Sequence, residues 1–298
     1  TEYRFVVIMR FVAGMGTGFA FLAAIKYAIL FTATRYRGAV QGVFGASFTL
    51  GGVLPFLVMP MLFSIDWRLI YVATAAFFVI PLALLMLWGK DIGRGSAMKW
   101  SNYQPLFRNG SIFALGFLHA AHLGGVITLG TLFTGFSAYL DPTKGLGLAA
   151  ILGGLLMLVS GSARILGGVL MKIMTPYRII LFSFIILLAC FVVLGRIKNP
   201  NVALVMYCLA IFFSSVTFGP IFFLSSVATG LELAGTGFGI VNFIANVGSL
   251  ILPVAFGFFI DVSASYTLPF FFMAGMSCIG IFMTIPLRKI STQLISVR

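Results

Sequence analysis

The sequence predicts an all-α membrane protein, a polytopic bundle with nine transmembrane helices visible. Three observations carry that prediction: the composition, the spacing of the apolar runs, and the uneven placement of Lys and Arg. Of 298 residues, 61% are hydrophobic and 8% charged, with a mean hydropathy of +1.14. A soluble domain carries roughly a quarter of its residues as charges, so a water-soluble fold is excluded. The runs are continuously apolar instead of alternating every second residue, which excludes a closed β-barrel.

A bilayer-spanning helix needs about 20 mostly apolar residues. Such runs are Phe5–Leu30, Ala39–Phe63, Leu69–Trp88, Ile112–Leu140, Leu146–Met171, Ile179–Leu194, Val202–Val227, Thr236–Ile260 and Leu268–Pro286. Most connections are short and polar. The longest, 89–110, holds Lys90, Arg94, Lys99 and Arg108 against Asp91. Trp67, Trp88 and Trp100 sit at span ends, as interfacial anchors do.

Basic loops resist translocation. One alternate set holds Arg35, Arg37, the four bases of the long connection, Lys172, Arg178, Arg288, Lys289 and Arg298. The other holds Arg4, Arg68, Lys144, Arg196 and Lys198. The bias predicts a cytoplasmic C-terminus, and the design fits a prokaryotic inner membrane. Nine crossings then place Thr1 outside, at the mouth of a span and without Met, so upstream helices are expected. No secretory signal is read, because Arg4 and Arg10 interrupt the first run.

An internal repeat supports that expectation. At an offset of 197 residues, Gly38, Gly42 and Gly51 fall on Gly235, Gly239 and Gly248, and Pro55 and Pro253 agree within one residue. Transporters are often built from repeated halves, and two copies need nearly 400 residues.

Several stretches resemble the major facilitator superfamily in one order along the chain. Arg10-Phe-Val-Ala-Gly14-Met-Gly16-Thr-Gly18 is similar to its fourth helix, and Arg37-Gly38 and Asp66-Trp67-Arg68 to the starts of its fifth and sixth. Gly235-Thr-Gly-Phe-Gly239-Ile-Val-Asn242-Phe-Ile-Ala-Asn246-Val-Gly248 is similar to its eleventh. The resemblance implies helices four to twelve of a twelve-helix member. It divides the chain into residues 1–88 as the remnant of an N-terminal half, 89–110 as a cytoplasmic central loop, and 111–298 as a six-helix C-terminal half. In Gly167-Gly168-Val-Leu-Met171-Lys172 the family's usual aspartate is replaced by Met171, which puts an intact gating ion pair in doubt.

Ionisable groups inside a span are costly and need a reason. Arg164 lies ~6 Å from its helix centre toward the basic side. It reads as a fork of donors for an anion or as a structural arginine near the helix end. Arg164-Ile-Leu-Gly167-Gly168 is similar to the eighth helix of the nitrate/nitrite and oxalate/formate branches, although the fifth helix lacks the nitrate branch's asparagine. His119 and His122, three apart on one face, read as proton carriers or substrate donors, or as a polar pair between helices. Asn242 and Asn246 form an i, i+4 pair facing the interior or a neighbouring helix. These five fall in one layer near the midplane and make the predicted substrate site. Arg10, ~7 Å outside its helix centre, is added from the family pattern, with an internal structural pair as the alternative. Lys26 is expected to snorkel, and Gly14, Gly16 and Gly18 to pack closely against a neighbour. Cys190, Cys208 and Cys278 lie in apolar runs without ligand spacing, so no metal is expected.

No carboxylate falls in the core of a visible span, and the visible charges there are positive or titratable to positive. That balance predicts a secondary transporter for a small organic or inorganic anion working by alternating access. The alternatives are a neutral-solute (sugar) or drug transporter with Arg164 structural, and a truncated, non-transporting membrane protein. Expected partners are a small-molecule substrate, a proton or counter-transported anion, and the lipid bilayer. Neither catalysis, cofactor nor nucleic acid is expected, and the protein is expected to be a monomer.

Overall fold

A computed structural model describes residues 3–63, 65–66, 68–90, 100–143 and 146–293. Trp67, Asp91, Arg94, Lys99, Lys144, Arg298 and the side chain of Pro55 lie outside the described residues. Within them every regular element is helical. The elements are α1 (Tyr3–Leu30), α2 (Thr34–Phe63), α3 (Arg68–Trp88), α4 (Trp100–Tyr103), a 3₁₀ turn (Gln104–Arg108), α5 (Gly110–Leu140), α6 (Leu146–Leu170), α7 (Pro176–Leu194), α8 (Pro200–Val216), α9 (Phe218–Ser263), α10 (Thr267–Met283) and α11 (Leu287–Gln293).

Local sequence sets the helix starts. Asn109 accepts from Ser111 N to open α5, and Asn199 accepts from Asn201 N and Val202 N ahead of Pro200 to open α8. An Asn cap followed by Pro is a favoured N-terminus. At the other end of α1, Arg37 Nε donates to Ile29 O and Thr32 O, covering carbonyls the helix leaves open. The long connection is not wholly irregular: Trp100 packs on Tyr103 and Phe107 across α4 and the 3₁₀ turn.

The seventh predicted span, Val202–Val227, is not one straight helix. Pro220 has no N–H for Val216 O, and its ring crowds that carbonyl, so α8 ends at Val216 and α9 begins after Thr217. α9 itself reverses direction at Gly230, whose φ of 70° and ψ of 164° suit glycine alone. The reversal is visible in Phe222 and Phe238, whose ring centroids are 5.4 Å apart. A straight helix would separate them by ~24 Å. The predicted spans Val202–Val227 and Thr236–Ile260 are therefore α8 with the first limb of α9, and the second limb.

α5 to α10 enclose the main core, which includes Phe133, Phe136, Tyr207, Phe256 and Phe270. α3 buries none of its residues and presents Phe77, Phe78, Leu84 and Leu87 outward, the surface expected of a lipid-facing helix. α1 meets α9 in its C-terminal third, through Phe21, Leu22, Ile25 and Ile29. Its Gly14, Gly16 and Gly18 have nothing within 4 Å, contrary to the close packing expected of them, because that part of α1 lies against no other described helix. Lys26 does not simply snorkel: its Nζ donates to Glu232 O.

α2 and α6 cross where glycines allow backbone contact. A Cβ on Gly42 would stand 2.5 Å from Arg164 O and 3.1 Å from Gly168 Cα, and one on Gly168 would meet Gly38 O. Gly167 abuts Val216 O, and Gly219 faces Gly168. Met171 lies on Gly38, and Lys172 Nζ sits 5.7 Å over the Tyr36 ring, so thioether and cation–π contacts stand where the family pattern has its aspartate. Farther along, Gly51, Gly52 and Gly154 have nothing within 4 Å. Among the described residues the contact is thus tightest at the end bearing Arg35, Arg37 and Lys172, here called the basic end, continues to Gly161 against Thr49 and Leu50, and is open around Gly51, Gly52 and Gly154. Gly168→Ala, which would drive a methyl into Gly38 O and Ala39 Cα, should lower the melting temperature in detergent by several degrees, since overpacking costs ~1–3 kcal/mol, while Gly154→Ala should leave it unchanged or higher. Equal effects in two thermal melts would contradict the crossing.

Candidate functional site

The basic ends of α1, α2, α5, α6 and the two limbs of α9 lie on one side of the bundle, with Gly230 standing farther out than the ends of α2 and α6, since Gly219 faces Gly168 and Gly38; each position is therefore counted from its own helix end. Gly45 is 11 residues into α2, His119 and His122 are 9 and 12 into α5, Arg164 is 6 from the end of α6, and Phe218 and Asn242 are each 12 from Gly230. At 1.5 Å per residue these positions lie ~9 to ~18 Å from the basic ends. By the same measure Asn246 lies ~24 Å and Arg10 ~30 Å away.

Phe218 is the centre of this layer. The ring occupies the space left by the missing side chain of Gly45. Arg164 Cζ sits 4.8 Å from its centroid, and the His119 and His122 rings lie 5.7 and 6.0 Å away. The two imidazoles stack on each other at 5.3 Å, and the Asn242 side chain lies beside His119. The structure therefore brings Arg164, His119, His122 and Asn242 together. It does not bring in Asn246, which is exposed and donates to Asn242 O, or Arg10, which is exposed on the part of α1 remote from α9.

Arg164 is 1% exposed, and its Nη1 donates to Gly45 O at 3.0 Å, a direct tie between α6 and α2. Nε and Nη2 have no partner among the described residues. His122 is fully buried and its Nδ1 meets Ser214 O. Among the described residues, His122 Nε2, His119 Nδ1, both polar atoms of the Gln41 amide and Ser225 Oγ are buried without partners. Gln41 stands one turn before Gly45, and Ser225 follows Phe218 and Phe222 at helical spacing, so both continue the polar groups toward the basic end.

Several of these groups were not read from sequence. Gln41, Ser214, Thr217 and Ser225 are small or neutral residues in apolar runs, and Ser160 and Ser215 bond each other across α6 and α8 at 2.7 Å. The available signal was Pro220, which marks the helix break that presents Ser214. None of the predicted site residues lines the small, mainly apolar cavity among Phe133, Phe136, Leu140 and Leu152 at the opposite end of the bundle. No group of three or more His, Cys, Asp or Glu positioned for a metal occurs among the described residues.

An apolar helical bundle with a sealed polar layer part-way through its depth is the form of a polytopic membrane protein that handles a polar solute. The profile of the Major Facilitator Superfamily matches residues 1–253, and the chain belongs to that family of membrane transporters. Two solved structures share its fold. The E. coli fucose:proton symporter FucP superposes with a TM-score of 0.74 at 14% identity, covering 89% of this chain and 72% of that one. FucP in the outward conformation gives 0.73 at 14% identity over the same shares. No curated protein matches the chain.

A guanidinium with one bond and two nitrogens without partners among the described residues is expensive to bury, so an apolar side chain that keeps its packing should cost the fold little. Arg164→Met, which keeps the stem over Phe218, should hold or raise the melting temperature of the solute-free protein. A fall of many degrees would mean that the bond to Gly45 O outweighs the burial cost.

Proposed function

We propose that this chain is a secondary transporter that moves a small, neutral, hydroxylated solute of the sugar or polyol class by alternating access, with Arg164 a structural residue and not the ligand of the solute. The observation that carries this reading is the mixed set of idle polar groups around Arg164 and on toward the basic end, none of them a carboxylate. Imidazole nitrogens share the Phe218 ring with Arg164, and an amide and a hydroxyl follow toward the basic end, all buried without partners among the described residues. A hydroxyl both donates and accepts, so a polyol can satisfy all of them. A deprotonated anion presents acceptors only. The shared fold with a fucose:proton symporter is consistent with this class.

A second reading, an anion transporter, is favoured by one observation: Arg164 Nε and Nη2 are donors without partners among the described residues. In either case the helices are taken as four to twelve of the family pattern, with residues 1–88 and 111–298 belonging to two halves that rock about the layer and 89–110 joining them on the cytoplasmic side. Coupling to a proton or a counter-transported anion, a monomeric state, and a prokaryotic inner membrane with a cytoplasmic C-terminus belong to the same proposal.

A ligand that binds the native state raises its stability by mass action. A thermal-shift panel on the purified chain should therefore show a rise with a hexose or polyol that persists in Arg164→Ala. A rise with nitrate, oxalate or another anion that vanishes in Arg164→Ala would replace the first reading by the second.

A further inference from the structure

Pro220 withholds an N–H from the end of α8, and the chain tightens at Thr217, whose N–H and hydroxyl both turn back to Ser214 O. That carbonyl also faces His122 Nδ1 across the interface with α5, while Ser214 Oγ donates to His122 O. A carbonyl oxygen can only accept. Nδ1 must therefore carry the hydrogen, and neutral His122 is held in one tautomer with Nε2 as a bare acceptor. Nε2 is fully buried and has no partner among the described residues. The charged group acting on the imidazole is Arg164 on α6, with His119 stacked on the same helix and the Phe218 ring on α9 packed against it. In this tautomer the neutral ring offers an acceptor at Nε2.

We infer that His122 Nε2 reads a hydroxyl hydrogen of the solute, and that Ser214 and Thr217, at the helix break, act as positioning residues that fix it for this task. The inference rests on the neutral-solute reading and sharpens it. At one position the solute must present a donor, so exchange of that hydroxyl for hydrogen or fluorine removes the interaction, fluorine being unable to donate. A site built to bond a hydroxyl rejects the analogue lacking it strongly, because its own group is left unpaired.

The test uses the full chain and the best binder among D-glucose, D-galactose, D-mannose and L-fucose, with its monodeoxy and monodeoxyfluoro analogues. The wild type should bind one deoxyfluoro analogue at least tenfold more weakly than the parent sugar. His122→Phe should weaken the parent sugar and erase that tenfold ratio. His122→Gln, whose amide oxygen can stand near the Nε2 position, should keep part of it, and His122→Asn, which reaches only as far as Nδ1, should not. A merely structural histidine would lower the affinity for every analogue alike and leave the ratios unchanged, which would overturn the inference while the neutral-solute reading stands. The melting temperature of each sugar-free variant separates misfolding from loss of recognition, and retention of the ratio in a folded His122→Phe would equally overturn it. If no sugar or polyol binds the wild type, the reading and the inference fall together.

Discussion

Backbone contact between α2 and α6 is the constraint on which the polar layer depends. With Cα atoms of Gly42 and Gly168 facing each other and Gly38 O against Gly168, the two helices approach more closely than side chains would allow. That approach brings Gly45 O within reach of Arg164 and leaves, at Gly45, the slot that Phe218 fills. Phe218 in turn positions the stacked histidines. Small residues thus decide where the large and polar ones go, and a single methyl at the crossing would be transmitted to every group around the ring.

The layer is expensive as it stands. A buried polar atom without a partner costs ~1–3 kcal/mol, and several such atoms sit together here. The crossing glycines, the Ser160–Ser215 bond and the aromatic core between α5, α8 and α10 offset that cost. A solute that supplied the missing partners would recover it on binding, which is how a transporter couples recognition to a change of state. The described contacts that close α2 on α6 at the basic end are the glycine backbones, the Met171 thioether on Gly38 and Lys172 over Tyr36.

Much of the fold was legible because apolar length is the strongest signal a membrane sequence carries. The spans over α1, α3, α5, α7 and α10 needed only the run of residues and their polar ends. The break at Thr217 was hidden inside an unbroken apolar run, although Pro220 stood in plain view, and the turn at Gly230 is set by one backbone conformation. Of the site, Arg164, the histidines and Asn242 were visible because polar groups are rare in such helices. Asn246 and Arg10 were read as their companions on helix spacing and family pattern, which fix neither depth nor a neighbouring surface. Gln41, Ser214 and Ser225 gave no warning, since Ser and Gln in an apolar run most often just bond their own helix.

If the two halves rock about this layer, the α2–α6 crossing must open and close over it. Spin labels at Arg35→Cys and Ile173→Cys, both exposed at the basic end, report the separation directly in a background with Cys190, Cys208 and Cys278 replaced by Ser. In lipid nanodiscs the account predicts a short distance for the sealed state and a second, longer one whose population changes when a binding sugar is added. A single distance, unmoved by any compound that raises the melting temperature, would contradict it.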